Sequence, residues 1–84
     1  MGETIRDLRM NSRRTLRDVS ADAQVSLGYL SEIERGQKEA SSEVVCWIAD
    51  ALGVSVGQLM SEVAQRILAY ESDTVVALPT RLAA

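Results

Sequence analysis

The sequence predicts an all-α domain of five helices, and three observations lead there. Proline occurs once, at Pro79, and β-branched alternation is nearly absent before residue 74, so little interrupts a helical chain until its end. Hydroxyl residues able to cap helices recur just ahead of apolar residues spaced three and four apart. Gly36 and Gly53 stand where two of these stretches should stop, because glycine tolerates the left-handed conformation that ends a helix.

The elements follow in order. A first helix is expected over residues 3 to 11, with Thr4 and Asp7 as a reciprocal capping box and Ile5 and Leu8 facing inward. A second, over residues 16 to 23, has the box Thr15 and Asp18 and the inward stripe Leu16, Val19 and Ala23. Ser26 caps a third over residues 27 to 34, which buries Leu30 and Ile33. Ser41 caps a fourth over residues 42 to 52, buried through Val45, Ile48, Ala49 and Leu52, and Ser55 a fifth over residues 56 to 71, buried through Val56, Leu59 and Met60.

Composition narrows the function classes. At 84 residues there is room for one modest core. No run of about 18 apolar residues exists and no secretory signal opens the chain, so a cytoplasmic protein with no membrane partner is expected. The absence of His and the single Cys46 leave no metal site, no cofactor and no catalytic constellation to expect, and Cys46 is read as a small buried apolar residue. An enzyme is therefore not expected. The net charge of −3 is unevenly spread: residues 1 to 38 carry seven Arg and Lys against six Asp and Glu, and residues 39 to 84 carry two against six. Local placement of cations, more than the sum, decides whether phosphate is attracted.

Only Gln24 and Val25 separate the second and third helices, too few residues for an antiparallel return, so the two should cross steeply. Counted from Leu16 to Arg35, a twenty-residue bihelical unit has apolar residues at Val19, Ala23, Val25, Leu30 and Ile33 and a small residue, Ser20, at the closest approach. Ser26, Leu27, Gly28, Tyr29, Ser31 and Glu32 then form the free face and start of the third helix, of a size that enters a DNA major groove. A helical corner of some other bundle shares this spacing.

The runs "TLRDVSADAQVSLGYLSEIERGQKEASSE" and "IADALGVSVGQL" resemble the phage-repressor (Cro/CI, or XRE) family of helix-turn-helix domains across residues 2 to 60. Within it, "TLRDVS", "VSLGYLSEIERG" and "KEASSE" look most like the actinobacterial regulators of Clp protease genes. Two positions depart from the family pattern: Gln24 stands where the turn usually has Gly, and Ala40 where Pro commonly precedes the fourth helix. The resemblance implies a five-helix lambda-repressor-like fold whose second helix points its start at a DNA phosphate. Thr15 and the amides of Leu16 and Arg17 match that anion site, with Arg13 and Arg14 beside it. Leu27, Gly28, Ser31 and Glu32 match the base-reading positions and Ser26 and Tyr29 phosphate-touching ones. Leu27 suits a thymine methyl, and Glu32 is either an acceptor for a cytosine amino group or a solvated or salt-bridging residue. Arg35, Gln37 and Lys38 follow as a polar loop able to grip further phosphates, and Arg9 and Glu34 fall on the family's structural ion pair.

Beyond residue 60 the apolar stripe continues through Val63, Ile67 and Tyr70, and Trp47 occupies a position that is usually polar in relatives. A homodimer through residues 61 to 73, with Trp47 nearby, is expected to place two recognition helices about 34 Å apart. Residues 74 to 84 read as a tail whose end, Leu82, Ala83 and Ala84, resembles the C-terminal signal by which Clp proteases take substrates. The expected function is a dimeric double-stranded DNA-binding regulator, an activator of Clp protease and stress genes. An antitoxin or operon autorepressor of the same fold, and an adaptor that has lost DNA binding, are the alternatives.

Overall fold

The computed structural model describes residues 1–74, the last two by their backbone alone; the tail signal expected at Leu82, Ala83 and Ala84 lies outside the described residues. Five helices follow one another: α1 (Gly2–Asn11), α2 (Leu16–Ala23), α3 (Leu27–Glu34), α4 (Ser42–Leu52) and α5 (Val56–Thr74). Helix α2 packs on α3 and α4, α1 spans α3 and α5, and α4 turns into α5.

Most of these boundaries are written in side chains. The Thr15 hydroxyl accepts from the Asp18 amide at 3.1 Å while the Asp18 carboxylate accepts from the Thr15 amide at 3.0 Å. Ser26 accepts from the Tyr29 amide and Ser41 from the Val44 amide. Ser55 forms a full reciprocal box with Gln58, at 3.0 and 2.8 Å. Each cap satisfies amide donors that the first helical turn leaves without partners.

Helix α1 departs from expectation. Thr4 does not cap it; Met1 is the N-cap, without a side-chain bond, and Thr4 lies inside the helix, 1% exposed. The reason is Gly2, which packs on the end of α3 so closely that a side chain would collide with the carbonyl oxygens of Ile33 and Glu34. The helix can therefore begin earlier and carry Thr4 into the interior.

One cluster forms the core: Ile5, Val19, Ala23, Leu30, Ile33, Val44, Val45, Ile48, Ala49, Ala51 and Leu59. Leu8, Leu16, Val25 and Leu52 pack against its edge. Two expectations are corrected. Val56 and Met60 are exposed, because α5 is rotated to put Leu59 inward alone of the three. Cys46 is exposed too, since α4 buries Val44, Val45, Ile48 and Ala49 and that choice turns Cys46 and Trp47 outward.

The α2–α3 turn keeps its tight form without glycine. Gln24 caps α2 in the left-handed region at φ 58 and ψ 40. Ser20 holds the turn at both ends: its carbonyl accepts from the Val25 amide at 3.1 Å and its hydroxyl donates to the Val25 carbonyl.

Arg9 and Glu34 join α1 to α3 by two parallel bonds, Nε to Oε2 at 2.8 Å and Nη2 to Oε1 at 3.0 Å. Arg9 Nη1 also donates to the Arg14 carbonyl at 3.0 Å, so one guanidinium fixes α1, α3 and the loop before α2. The side chains are 13% and 5% exposed. Bonding to Glu34 raises the Arg9 pKa above its ordinary value, so the guanidinium stays charged.

Two stability measurements follow. Glu34→Gln or Arg9→Met alone leaves a largely buried partner uncompensated and should cost about 3 kcal/mol in urea unfolding, against a total of about 4 to 12 kcal/mol for a chain of this length. The double variant Arg9→Met with Glu34→Leu should recover much of that loss; full additivity of the two would contradict a coupled pair. Gln24→Gly should raise stability by up to about 1 kcal/mol by removing the left-handed penalty, and a lower urea midpoint would show that the turn carries no such strain.

Candidate nucleic-acid interface

Helix α3 is eight residues long, and it is locked from behind. Leu30 and Ile33 are 0% and 2% exposed, whereas Leu27 is 38% exposed and Gly28 faces open space with no atom near its missing side chain. Ser31 and Glu32 are half-buried on its flank. The Glu32 carboxylate makes no ion pair or hydrogen bond among the described residues, so its salt-bridging reading finds no partner there. Ser26 uses an oxygen lone pair on the Tyr29 amide and keeps its hydroxyl proton for an outside acceptor.

Several expected phosphate contacts are engaged inside the protein. The Tyr29 hydroxyl donates to the Glu39 carbonyl at 3.1 Å, pinning the loop after α3 and leaving no donor for a phosphate in this arrangement. Arg14 reaches Asp22 at 3.2 Å and donates to the Ala51 carbonyl, tying the start of α2 to the end of α4. Arg35 bonds the Ser31 hydroxyl and the Gln37 side-chain oxygen, both neutral, so its charge is not cancelled.

Arg13, Arg17 and Lys38 are exposed and make no ion pair among the described residues. Arg13 also sits at φ 59, a left-handed residue that turns the chain from α1 toward α2. At the start of α2 the Thr15 amide is taken by Asp18, which leaves the amides of Leu16 and Arg17 ahead of the first intrahelical bond, Val19 N to Thr15 O. The bond from the Thr15 backbone, then that from its hydroxyl, lowers the Asp18 pKa and keeps a negative charge there. An anion at this site must be held by the surrounding arginines against that charge.

The residues expected to dimerise divide between two surfaces. Val63, Ile67 and Tyr70 line a depression of about 290 Å³ with Met1, Glu3, Thr4 and Arg66 at the α1–α5 seam. Ile67, Leu68 and Tyr70 are 53%, 63% and 69% exposed, and Arg66 clamps α5 to α1 through Asp7 at 2.8 Å. Trp47, 47% exposed, lines a separate depression with Asp22, Ala23, Gln24 and Asp50.

One cationic residue was passed over in the sequence: Arg6 lines a depression with Leu16, Ser31 and Arg35. The signal available was its place one turn before Arg9 on the same helix face. Among the described residues no acidic, Cys or His cluster could hold a metal, and no single helix is long and apolar enough to cross a membrane.

A family model described as a helix-turn-helix domain matches residues 1–63. The transcriptional regulator ClgR of Mycobacterium tuberculosis is 46% identical over 71 residues, which are 84% of this chain and 63% of that protein. The HTH-type transcriptional regulator DdrOP3 of Deinococcus deserti is 36% identical over 81 residues, 96% of this chain and 60% of its own length. The chain thus spans somewhat under two thirds of these relatives. The crystal structure of the clp gene regulator ClgR from C. glutamicum superposes with a TM-score of 0.73 at 43% identity, over 77% of this chain and 84% of that one. Helices, turn and matched residues agree: the chain belongs to the phage-repressor-type (XRE) helix-turn-helix transcriptional regulators and is related to ClgR.

Proposed function

We propose that this chain binds double-stranded DNA as a two-fold dimer, setting α3 of each copy into a major groove to activate genes of the Clp protease system. One observation carries the reading. The helix is held by Leu30 and Ile33 so that Leu27, Gly28, Ser31 and Glu32 remain on its outer side, and an α-helix about 10 to 12 Å across with its side chains fits a groove about 12 Å wide. The 46% identity to the ClgR of Mycobacterium tuberculosis, and the likeness to a clp gene regulator of C. glutamicum, support the choice of target genes.

The chemistry of that face sets what it can read. Leu27 offers an apolar surface for a thymine methyl, and open space at Gly28 allows close approach of the helix backbone to the groove edge. Glu32, partly desolvated and unpaired, is an acceptor in want of a donor, which a cytosine amino group supplies. Around this face Arg13, Arg17, Arg35 and Lys38 meet the backbone, with Ser26 as a neutral donor and Gln37 orienting Arg35.

No Arg, Asn or Gln lies on α3, so the strongest bidentate base contacts are missing and one half-site binds modestly. Pairing two copies through Val63, Ile67 and Tyr70, with Trp47 as a second contact on the α4 side, makes the two readings add.

Titration against a duplex from a clp promoter and against a scrambled duplex, each at two salt concentrations, tests the reading. Tighter binding to the promoter that weakens steeply with salt is expected, and equal affinity for both duplexes rejects sequence-specific recognition. Glu32→Gln should change the preference at one base position by about 1 to 3 kcal/mol, while Lys38→Gln should weaken binding to every sequence and lower the salt slope by about 0.9. Ile67→Asp should convert dimer to monomer in sedimentation; a variant that remains dimeric places the interface elsewhere.

A further inference from the structure

We infer that the depression between α1, the start of α2 and α3 is a seat for a DNA phosphate, and that Arg6 is the cation that grips it; this rests on the DNA-binding reading above. The depression encloses about 290 Å³ and is lined by Arg6, Arg9, Leu16, Ser31, Glu34 and Arg35. Its charge is not balanced. Glu34 neutralises Arg9 through two bonds at 2.8 and 3.0 Å, whereas Arg35 bonds only neutral oxygens of Ser31 and Gln37.

Arg6 is exposed and makes no hydrogen bond or ion pair among the described residues, although Glu3 stands one turn before it on α1 and the neighbouring Asp7 is engaged by Arg66. Two uncompensated cations therefore border one cleft, a setting that draws an oxyanion. The cleft also lies on the side that meets DNA: Ser31 belongs to the outer flank of α3, and Leu16 is the first residue of the helix whose start faces phosphate. A backbone strand passing α2 while α3 occupies the groove would cross its mouth. Arg6 can then donate to that phosphate from α1, a helix that otherwise serves the core. The contact carries no base information and anchors register alone.

The test uses the full 84-residue chain and a duplex of about 30 base pairs of arbitrary sequence, since a phosphate contact is independent of sequence. Arg6→Gln should weaken binding at low salt roughly three- to tenfold, the scale of one hydrogen bond, and reduce the salt slope by about 0.9. Arg6→Lys should keep the slope, because it keeps the charge. An unaltered slope in Arg6→Gln, with the parent chain binding normally, overturns this inference alone; no salt-dependent binding by the parent chain overturns the DNA-binding reading and this inference with it. Melting temperature should not change in either variant, and a fall of more than a few degrees assigns Arg6 to folding and overturns the proposal. Inorganic phosphate alone, at millimolar concentration, should leave the Arg6 Nε resonance unmoved. A saturable shift assigns the seat to a free anion and likewise overturns a duplex contact.

Discussion

The arrangement turns on a single guanidinium. Arg9 reaches Glu34 at the end of α3 and the Arg14 carbonyl just before α2, so three segments that share no local sequence are fixed to one rigid fork. Apolar packing by Leu30 and Ile33 determines which side of α3 faces the core, but packing tolerates sliding and rotation. Bidentate geometry does not. The pair therefore converts a buried helix side into a defined outer face, and the close approach of Gly2 to the Ile33 and Glu34 carbonyls seats the same end of α3 from the other direction. An outer face whose angle were free would have to be ordered at the moment of binding, which costs affinity.

Electrostatics follows a similar division between structural and available charge. The chain is acidic overall at −3, yet the arginines are not equivalent. Arg9, Arg14 and Arg66 are committed to Glu34, Asp22 and Asp7, and hold helices to one another. Among the described residues Arg6, Arg13, Arg17 and Lys38 have no partner and Arg35 has only neutral ones. Their charge remains available to a polyanion whatever the chain's net sign, because salt screens separated surface charges over about 8 to 10 Å. Asp18 acts against this: its lowered pKa keeps it anionic beside the start of α2, where it favours helix formation and disfavours a nearby phosphate.

Much of this was legible because it is local. A box such as Thr15 with Asp18, the caps Ser26 and Ser41 and the terminating Gly53 are decided within four residues, and the spacing of Leu30 and Ile33 needs only the helical period. What escaped was decided at a distance. Thr4 has the pattern of a cap, but Gly2 meets the end of α3 some thirty residues on and moves the helix start. A stripe gives the period of α5 and not its rotation, so Leu59 turned inward while Val56 and Met60 did not. Cys46 followed the rotation of α4 outward, against the usual burial of free cysteine. Arg14 and Arg35 looked alike on paper, and only the fold separates one bound to Asp22 and the Ala51 carbonyl from one bound to neutral groups. The general form of the reading helix was therefore plain, and the assignment of individual cations was not.

Under the proposed function, the composition of α3 gives α5 a part in recognition. On the proposed reading, a short helix with Leu, Gly, Ser and Glu outward would read through one methyl contact, one acceptor and close backbone approach, each individually weak. Such a face discriminates poorly alone, and adding arginines to it would raise binding to all DNA along with the target. Duplication offers another route, since two weak readings tied at a fixed separation multiply their discrimination. That requires the tie to be stiff. Helix α5 runs 19 residues, about 28 Å, and is clamped to α1 through Asp7 and Arg66 while Leu59 anchors its first turns in the core. In the proposed dimer its exposed stripe would move with the domain that carries α3, and pairing two stripes would fix the distance between two reading faces. The same stiffness would make that spacing a selector among operators, because a half-site out of register by one base pair, about 3.4 Å, could not be met without bending the DNA.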